Sequence, residues 1–196
     1  MVINLYIIDI NKINVDDLLS SRFINKEEIK DLPSKDVYNE KIASLYLKNK
    51  YIGEYSLNEY GKPISSRCFF NISHSHGLVI LGINDKCEIG VDIEKNKSIE
   101  DKYKRYICND EEYKYIKNDT DFLKIWTNKE SLLKCLGVGI NKKLSEVNGL
   151  PLNDIRNYEN KIYRSQTIIY GEYIISITIQ SQDNFIIKTN LISGQL

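Results

Sequence analysis

Two acidic residues stand two positions apart in the segment Gly90-Val91-Asp92-Ile93-Glu94. In an extended strand, side chains two apart project from the same face, so Asp92 and Glu94 would present two carboxylates together. Neighbouring carboxylates repel one another unless a cation lies between them. Magnesium favours oxygen ligands, including one or two carboxylates, so the pattern fits a magnesium site. A half-buried strand with a solvated acidic face fits the same residues.

A third acid lies in the helical pattern that runs from Trp126 to Lys134. Glu130 and Lys134 are four positions apart, which places them one turn apart on one helix face. Glu130 could complete a carboxylate cluster, and Lys134 could neutralise charge that develops on a phosphate. The same spacing is typical of a surface ion pair, which contributes only about 0.3 to 0.5 kcal/mol.

The segment Asn71-Ile72-Ser73-His74-Ser75-His76 contains both histidines of the chain and joins two predicted strands. Ser73 and His74 could each donate a hydrogen bond to a phosphate group. A solvated polar turn is the alternative interpretation. The sequence has no Gly-x-Ser-x-Gly elbow, no Walker loop and no Gly-x-Gly-x-x-Gly fingerprint. These absences disfavour a serine hydrolase, a P-loop enzyme and a dinucleotide-binding fold.

The elements that must position these residues follow from hydrophobic periodicity and turn signals. Strands are predicted at residues 2–10, 69–73, 77–83 and 88–94, with about three more within 161–192. Helices are predicted at 15–32, 34–50, 99–107, 110–117 and 120–136. Residues 78–83 are apolar on both faces, which indicates a central strand.

A weak internal repeat indicates two related halves. Arg22-Phe23-Ile24, followed by Glu27-Glu28, reappears as Arg105-Tyr106-Ile107, followed by Glu111-Glu112. We therefore predict an α+β fold with a pseudo-two-fold duplication of two similar halves, residues 1–87 and 88–196. The active site would lie in the cleft between them.

Composition narrows the class of protein. The chain has 196 residues, 42% of them hydrophobic, with 27 basic and 27 acidic side chains. A net charge of zero gives no general attraction to nucleic acid or membrane. No apolar run approaches the ~20 residues of a membrane span, and the apolar N-terminal stretch is too short for a signal peptide, so a cytoplasmic location is expected. The four cysteines are widely spaced, which predicts reduced thiols.

In this order, the motifs resemble those of the 4′-phosphopantetheinyl transferase superfamily, in its single-chain, two-repeat branch typified by the surfactin-synthetase activator. The resemblance covers about residues 61–139, and the chain length favours this branch over the shorter, trimer-forming carrier synthases. The matching segments are Gly61-Lys62-Pro63, Phe70-Asn71-Ile72-Ser73-His74-Ser75, Gly90-Val91-Asp92-Ile93-Glu94, and Trp126-Thr127-x-Lys129-Glu130-Ser131-x-x-Lys134 with Gly137 and Gly139.

The resemblance implies transfer of the 4′-phosphopantetheine arm of coenzyme A to a serine of an acyl or peptidyl carrier protein, with release of 3′,5′-adenosine bisphosphate. It implies that Mg²⁺ is held by Asp92, Glu94 and Glu130, and that Glu130 is also the base for the carrier hydroxyl. Lys134 matches the lysine that stabilises the leaving phosphate. The implied coenzyme A contacts are Lys62, Ser73 and His74.

One departure and two alternatives accompany the resemblance. The family usually has an arginine near the positions of Asn39 and Glu40, and Lys30, Lys35 or Lys41 could substitute for it without the bidentate geometry of a guanidinium. A coenzyme A-binding scaffold without activity and a magnesium-dependent phosphohydrolase are the alternatives. A duplicated chain supplies its own paired surfaces, which predicts a monomer.

Overall fold

The computed structural model describes residues 1–25, 29, 34–139 and 144–193. It has a mixed α+β architecture, as predicted. In chain order, the elements are β1 (Val2–Asp9), α1 (Val15–Leu19), α2 (Lys35–Tyr51), β2 (Ser56–Leu57), β3 (Pro63–Ile64), β4 (Phe69–Ser75), β5 (Leu78–Asn84), β6 (Ile89–Lys95), α3 (Asp101–Ile107), α4 (Asp110–Tyr115), α5 (Asp119–Leu136), β7 (Ile155–Tyr158), β8 (Lys161–Tyr170), β9 (Tyr173–Ile179) and β10 (Ile186–Ile192).

Of the predicted helix over residues 15–32, the structure confirms only Val15–Leu19, and the prediction is wrong over the described residues 20–25 and 29. The hydroxyl groups of Ser20 and Ser21 donate to backbone carbonyls of the preceding turn, which favours a helix end over continuation. Residues 26–28 and 30–33, including Glu27 and Glu28 of the internal repeat, lie outside the described residues. The other predicted helices are confirmed within a few residues at each end.

The first sheet has four strands in the order β10-β1-β5-β4. β10 is parallel to β1, whereas β5 is antiparallel to both β1 and β4. β5 lies between β1 and β4, which confirms the predicted central strand, and both of its faces are largely buried. A strand from the C-terminal part of the chain therefore completes the sheet that the N-terminal part begins.

The second sheet also has four strands, in the order β6-β9-β8-β7, and all are antiparallel. The short strand β7 was not predicted, because Ile155–Tyr158 alternates for only four residues. Strands β2 and β3 form a separate two-stranded hairpin. The long helix α5 packs on β6 and β9 of the second sheet.

Two apolar clusters hold these layers together. One joins α2 to the first sheet through buried residues such as Ile42, Leu45 and Val79. The other contains residues of both four-stranded sheets, including Ile7 and Ile177, and also Phe185 before β10. Because the second cluster is shared, the two sheets are joined by a common apolar core.

The two long helices begin and end where the sequence indicates. Ser34 is the N-cap of α2 and accepts a hydrogen bond from the Val37 amide, and Asn118 caps α5 in the same way. Gly137 ends α5 with a positive φ of 73°, which suits glycine. Within the described residues, no helix combines the length and apolarity needed to cross a bilayer.

Candidate functional site

One cleft of about 530 Å³ is lined by α2, β4, β6 and α5. These elements come from widely separated stretches of the chain, and their side chains meet only in the folded protein. The cleft contains all but one of the predicted site residues, namely Ser73, His74, Asp92, Glu94, Glu130 and Lys134. The structure therefore brings the three predicted motifs together at one place.

Close packing of α5 on β6 makes this arrangement possible. A Cβ atom built on Gly90 would collide with the backbone of Ser131 and Cys135 on α5. The absence of a side chain at Gly90 lets the helix approach the strand that carries Asp92. Glu130 and Lys134 are one helix turn apart and therefore face the same cleft.

The acids of the cleft differ in their surroundings. Asp92 and Glu130 are only 4% and 5% exposed, while Glu94 is half-buried. Glu94 accepts a hydrogen bond of 3.0 Å from the Ser75 hydroxyl. Among the residues that the structure describes, Asp92 Oδ2 and Glu130 Oε1 are buried and have no hydrogen-bond partner. Buried polar atoms rarely remain unpaired, so these two oxygens indicate a place for a ligand.

Lys134 forms a compact network with Asp92 and Ser73. Its Nζ atom lies 2.5 Å from Asp92 Oδ1 and 2.9 Å from the Ser73 hydroxyl oxygen. The Ser73 hydroxyl also lies 3.0 Å from Asp92 Oδ1, to which it donates. The ammonium group compensates the charge of the Asp92 carboxylate, and among the residues that the structure describes Glu130 forms no ion pair.

Burial controls the protonation of the acids. It raises the pKa of Glu130 to about 7, and the negative charges of Asp92 and Glu94 add to this effect while Lys134 opposes it. The pKa of Asp92 is also raised, mainly by burial, although the Lys134 ammonium group favours its charged form. Glu130 is therefore poised to gain or lose a proton near neutral pH.

The donor atoms of the cleft suit a hard divalent cation. Magnesium is usually bound through one or two carboxylates, with water and substrate phosphates as the remaining ligands. The two unpaired oxygens of Asp92 and Glu130 fit that pattern. Across residues 1–25, 29, 34–139 and 144–193, however, no group of three or more His, Cys, Asp or Glu side chains is arranged to hold a metal ion. A site with all three acids as direct ligands stays a prediction.

Lys62 lies apart from the other predicted residues. Its Nζ atom is 2.6 Å from Glu88 Oε2 and 3.1 Å from the Cys135 carbonyl oxygen at the end of α5. The side chain borders a neighbouring cavity of about 240 Å³, which Glu130 and Lys134 also line. Lys62 thus connects the loop before β3 to α5, and its predicted contact with coenzyme A stays a prediction.

Two lysines of α2 line the cleft near the place where the family usually has an arginine. Lys41 is exposed, whereas Lys48 is buried, with its Nζ atom 4.7 Å from the centre of the Tyr55 ring. Lys35 does not border the cleft, and Lys30 lies outside the described residues. Of the two predicted substitutes that the structure describes, Lys41 is the one that borders the cleft.

Sequence reasoning assigned no role to Asn71, although the structure gives it one. Its Oδ1 atom accepts a hydrogen bond of 2.9 Å from the Val91 amide, and the Ser75 hydroxyl accepts one of 3.2 Å from the Lys95 amide. These bonds fix β4 of the first sheet beside β6 of the second. The alternation of polar side chains at 71, 73 and 75 was the available signal.

Lys129 is a second residue whose role was missed. Both Lys129 and Glu112 are fully buried, and their charged groups are 2.6 Å apart. The Lys129 ammonium also donates to the carbonyls of Ile107 and Leu144, so α5 is anchored to α3 and to the loop before β7. The sequence signal for this role was a lysine directly before Glu130 in a helix segment whose other residues are mostly buried.

Comparison with known proteins agrees with this geometry. Residues 88–186 match a sequence model described as the 4′-phosphopantetheinyl transferase superfamily. The chain is 28% identical over 154 residues to "4′-phosphopantetheinyl transferase gsp" of Aneurinibacillus migulanus, covering 70% of this chain and 60% of the relative. It is 34% identical over 102 residues to "4′-phosphopantetheinyl transferase HetI" of Nostoc sp., covering 44% of this chain and 42% of the relative. The matches thus span about half of the length of these relatives.

The matched region includes β6 and α5, which carry Asp92, Glu94, Glu130 and Lys134. It extends over half of the chain, and the match with the Aneurinibacillus protein is long enough to lie partly in the N-terminal half. The resemblance inferred from the ordered motifs is thereby confirmed. The chain belongs to the 4′-phosphopantetheinyl transferase superfamily.

Proposed function

We propose that this chain transfers the 4′-phosphopantetheine arm of coenzyme A to a serine hydroxyl of an acyl or peptidyl carrier protein. The observation that carries the proposal is the meeting of Asp92 and Glu130, whose buried, unpaired carboxylate oxygens line one cleft with Lys134. The names of the two relatives support the same activity.

In the proposed reaction, the serine oxygen attacks the phosphorus atom that bears the pantetheine arm. A new oxygen–phosphorus bond forms, and the bond from this phosphorus to the bridging oxygen of the diphosphate breaks. The leaving group is 3′,5′-adenosine bisphosphate, and the serine proton passes to Glu130, directly or through water. In the metal-free cleft the pKa of Glu130 is about 7, and its carboxylate form is the one that accepts the proton.

Other side chains of the cleft would bind and orient coenzyme A. The Lys134 ammonium group would stabilise negative charge on the leaving phosphate. His74 would donate to the phosphates, Ser73 would do so by turning its hydroxyl away from Asp92, and Lys62 would approach them from the neighbouring cavity. Asp92, Glu94 and Glu130 would hold Mg²⁺, which when bound offsets the negative charge of the diphosphate and makes its phosphorus easier to attack.

The proposal extends to the organisation of the chain. We interpret residues 1–87 and 88–196 as two related halves, with the active site in the cleft between them. Each half contributes most of one four-stranded sheet and one long helix, which supports this interpretation. Strand β10 is the exception, because it follows the second sheet in sequence but pairs with β1. A monomer would suffice, since one chain supplies both walls of the cleft.

The direct test incubates the protein with coenzyme A, Mg²⁺ and a panel of apo-carrier proteins, and measures the intact mass of each carrier. We expect one or more carriers to gain the mass of one phosphopantetheine arm. Asp92→Asn and Glu130→Gln should lower the rate about 100-fold or more, because each removes a group that acts on the reacting phosphate. Glu111→Gln, at an exposed acid of α4, is the matched control and should retain full activity.

Two results would contradict the proposal. Coenzyme A binding measured by calorimetry, with no mass gain in any carrier, would favour a scaffold protein. Release of adenosine bisphosphate in the absence of a carrier, at the rate seen with one, would favour a phosphohydrolase.

A further inference from the structure

Glu40 is a buried acid of α2 whose two carboxylate oxygens contact different partners. Its Oε1 atom accepts a hydrogen bond of 2.7 Å from the backbone amide of Gly77, in the turn between β4 and β5. Its Oε2 atom lies 2.9 Å from Nδ1 of His74. The Gly77 contact fixes the carboxylate, so Oε2 offers the histidine ring an acceptor at a defined position.

The strand geometry explains why His74 meets α2. Ser73 and Ser75 contact Asp92 and Glu94 on β6, so the residue between them points to the opposite side of β4. There the His74 side chain borders the cleft and remains 53% exposed. Nδ1 of the ring contacts Glu40, and the exposed side chain borders the cleft that the ligand would occupy.

The chemistry of the pair decides which ring nitrogen carries a proton. An ionised carboxylate only accepts hydrogen bonds, so Nδ1 must be the donor in the contact with Glu40. The neutral ring is then protonated at Nδ1, and Nε2 is the nitrogen that can contact a ligand in the cleft. A charged ring would remain paired with Glu40 while its second N–H donates to an anion.

We propose that Glu40 is a positioning residue that holds His74 with Nδ1–H bonded to its carboxylate and with Nε2 directed to the cleft, where the Nε2–H of the charged ring donates to a phosphate group of coenzyme A. The ligand in this statement rests on the proposed function, whereas the orientation of the ring does not. Glu40 lies near the position where the family usually has an arginine. The proposed role of this acid is to orient the histidine.

The substitution Glu40→Gln tests the orientation, because the Gly77 amide is a fixed donor. The glutamine oxygen must turn toward Gly77, and its NH₂ group then points at His74. That group donates to Nδ1, which must give up its proton, so the proton of the neutral ring moves to Nε2. We expect the dominant tautomer of His74 to change from Nδ1–H in the native protein to Nε2–H in the variant.

Nitrogen-15 NMR of the imidazole rings in ligand-free protein, above the pH at which both rings are neutral, measures this change. The chain has only two histidines, so the signal that disappears in a His76→Asn variant belongs to His76 and the other belongs to His74. Asparagine suits this position because His76 has a positive φ, which asparagine tolerates. Asp36→Asn, at an exposed acid of the same helix, is the matched control and should leave the tautomer unchanged. An unchanged His74 spectrum in the Glu40→Gln variant would overturn the proposal.

A double-mutant cycle tests whether Glu40 acts on coenzyme A through His74. Glu40→Gln should raise the KM for coenzyme A about three- to tenfold, with a smaller effect on kcat, because a charge-assisted contact is replaced by a neutral one. In a His74→Ala background, the same change should add nothing further. Additive effects would contradict action through His74. If no carrier is modified at all, the proposed function fails, while the NMR result on ligand-free protein still decides the orientation of the ring.

Discussion

The carboxyl group of Glu130 combines deep burial with two acidic neighbours, and Lys134 is the cation that opposes them. Its pKa of about 7 in the folded protein lies above the ordinary value of 4.5. Below the ordinary value, the group is protonated in both the folded and unfolded states. As the pH rises from 4.5 to 7, the unfolded state releases this proton while the folded state keeps it, so the free energy of unfolding decreases, and above 7 the loss levels off.

The substitution Glu130→Gln should therefore stabilise the metal-free protein in a pH-dependent way. We expect a gain of up to about 3 kcal/mol in the free energy of unfolding at pH 8, and less than about 1 kcal/mol at pH 5. Urea denaturation in the presence of a chelator measures the difference. Glu111→Gln serves again as the control, and a gain that is the same at both pH values would contradict the assignment.

The buried pair of Lys129 and Glu112 makes a second prediction at this scale. Replacing Lys129 by Met leaves the Glu112 carboxylate buried without a cation, which should cost about 3 to 5 kcal/mol of stability. Lys124→Met, on the same helix, breaks a partly exposed pair with Asp121 and should cost less than about 1 kcal/mol. Urea denaturation measures the free energy of unfolding of each variant. Equal decreases in the two variants would contradict a special contribution of the buried Lys129–Glu112 pair to stability.

At the scale of elements, the contact between β6 and α5 sets the distance between Asp92 and Glu130. Gly90 permits this contact because no side chain separates the strand from the backbone of Ser131 and Cys135. Neither backbone segment can move alone, since β6 is paired with β9 and α5 is anchored by Lys129. The relative positions of Asp92 and Glu130 in the cleft thus depend on a residue that has no side chain.

Gly90→Ala should destabilise the protein by at least about 3 kcal/mol and lower the transfer rate, because the added methyl group forces α5 away from β6. Gly171→Ala is the comparison, since a Cβ atom there would meet open space. That change should cost about 1 kcal/mol, which reflects only its positive φ. Thermal unfolding measures the loss of stability, and the carrier mass assay measures the transfer rate. Full activity in Gly90→Ala would contradict a need for close contact between α5 and β6.

The elements themselves were largely predictable, because their signals are local. The caps at Ser34 and Asn118 and the stop at Gly137 are encoded within a few residues of each helix end. Helix α1 was overextended because periodicity continued past Ser20, where side-chain hydroxyls satisfy the final carbonyls. The pairing of β4 with β6 through Asn71 was not predictable, since it joins distant segments by single side-chain hydrogen bonds.

Of the candidate site, the sequence predicted which residues would meet but not what each would contact. Asp92, Glu130 and Lys134 were identified from their types and order, and they do share one cleft. The attachment of Lys62 to Glu88 and of His74 to Glu40 could not be inferred, because each pair joins distant parts of the chain. Such contacts depend on tertiary geometry, which a single sequence does not display.

At the scale of the whole molecule, the two sheets share one apolar cluster, to which Phe185 contributes a nearly buried ring. The ring lies just before β10, the strand that returns to the first sheet. We therefore expect the described chain to unfold as one cooperative unit.

Phe185→Ala should lower the free energy of unfolding by about 3 to 5 kcal/mol. Fluorescence of Trp126, the single tryptophan, and far-ultraviolet circular dichroism should shift together, because both sheets lose the same core contact. Ile186→Ala, at the exposed neighbour, should change stability by less than about 0.5 kcal/mol. Separate transitions for the two signals would indicate that the sheets unfold independently.

The parallel pairing of β10 with β1 has a consequence for synthesis on the ribosome. Strand β1 emerges before the other described strands, but its outer neighbour, Ile186–Ile192, emerges only after the whole of the second sheet has been translated. Until then, the nascent chain carries an open strand edge able to pair with other chains. The growing polypeptide must therefore keep β1 and β5 able to fold until β10 has been synthesised.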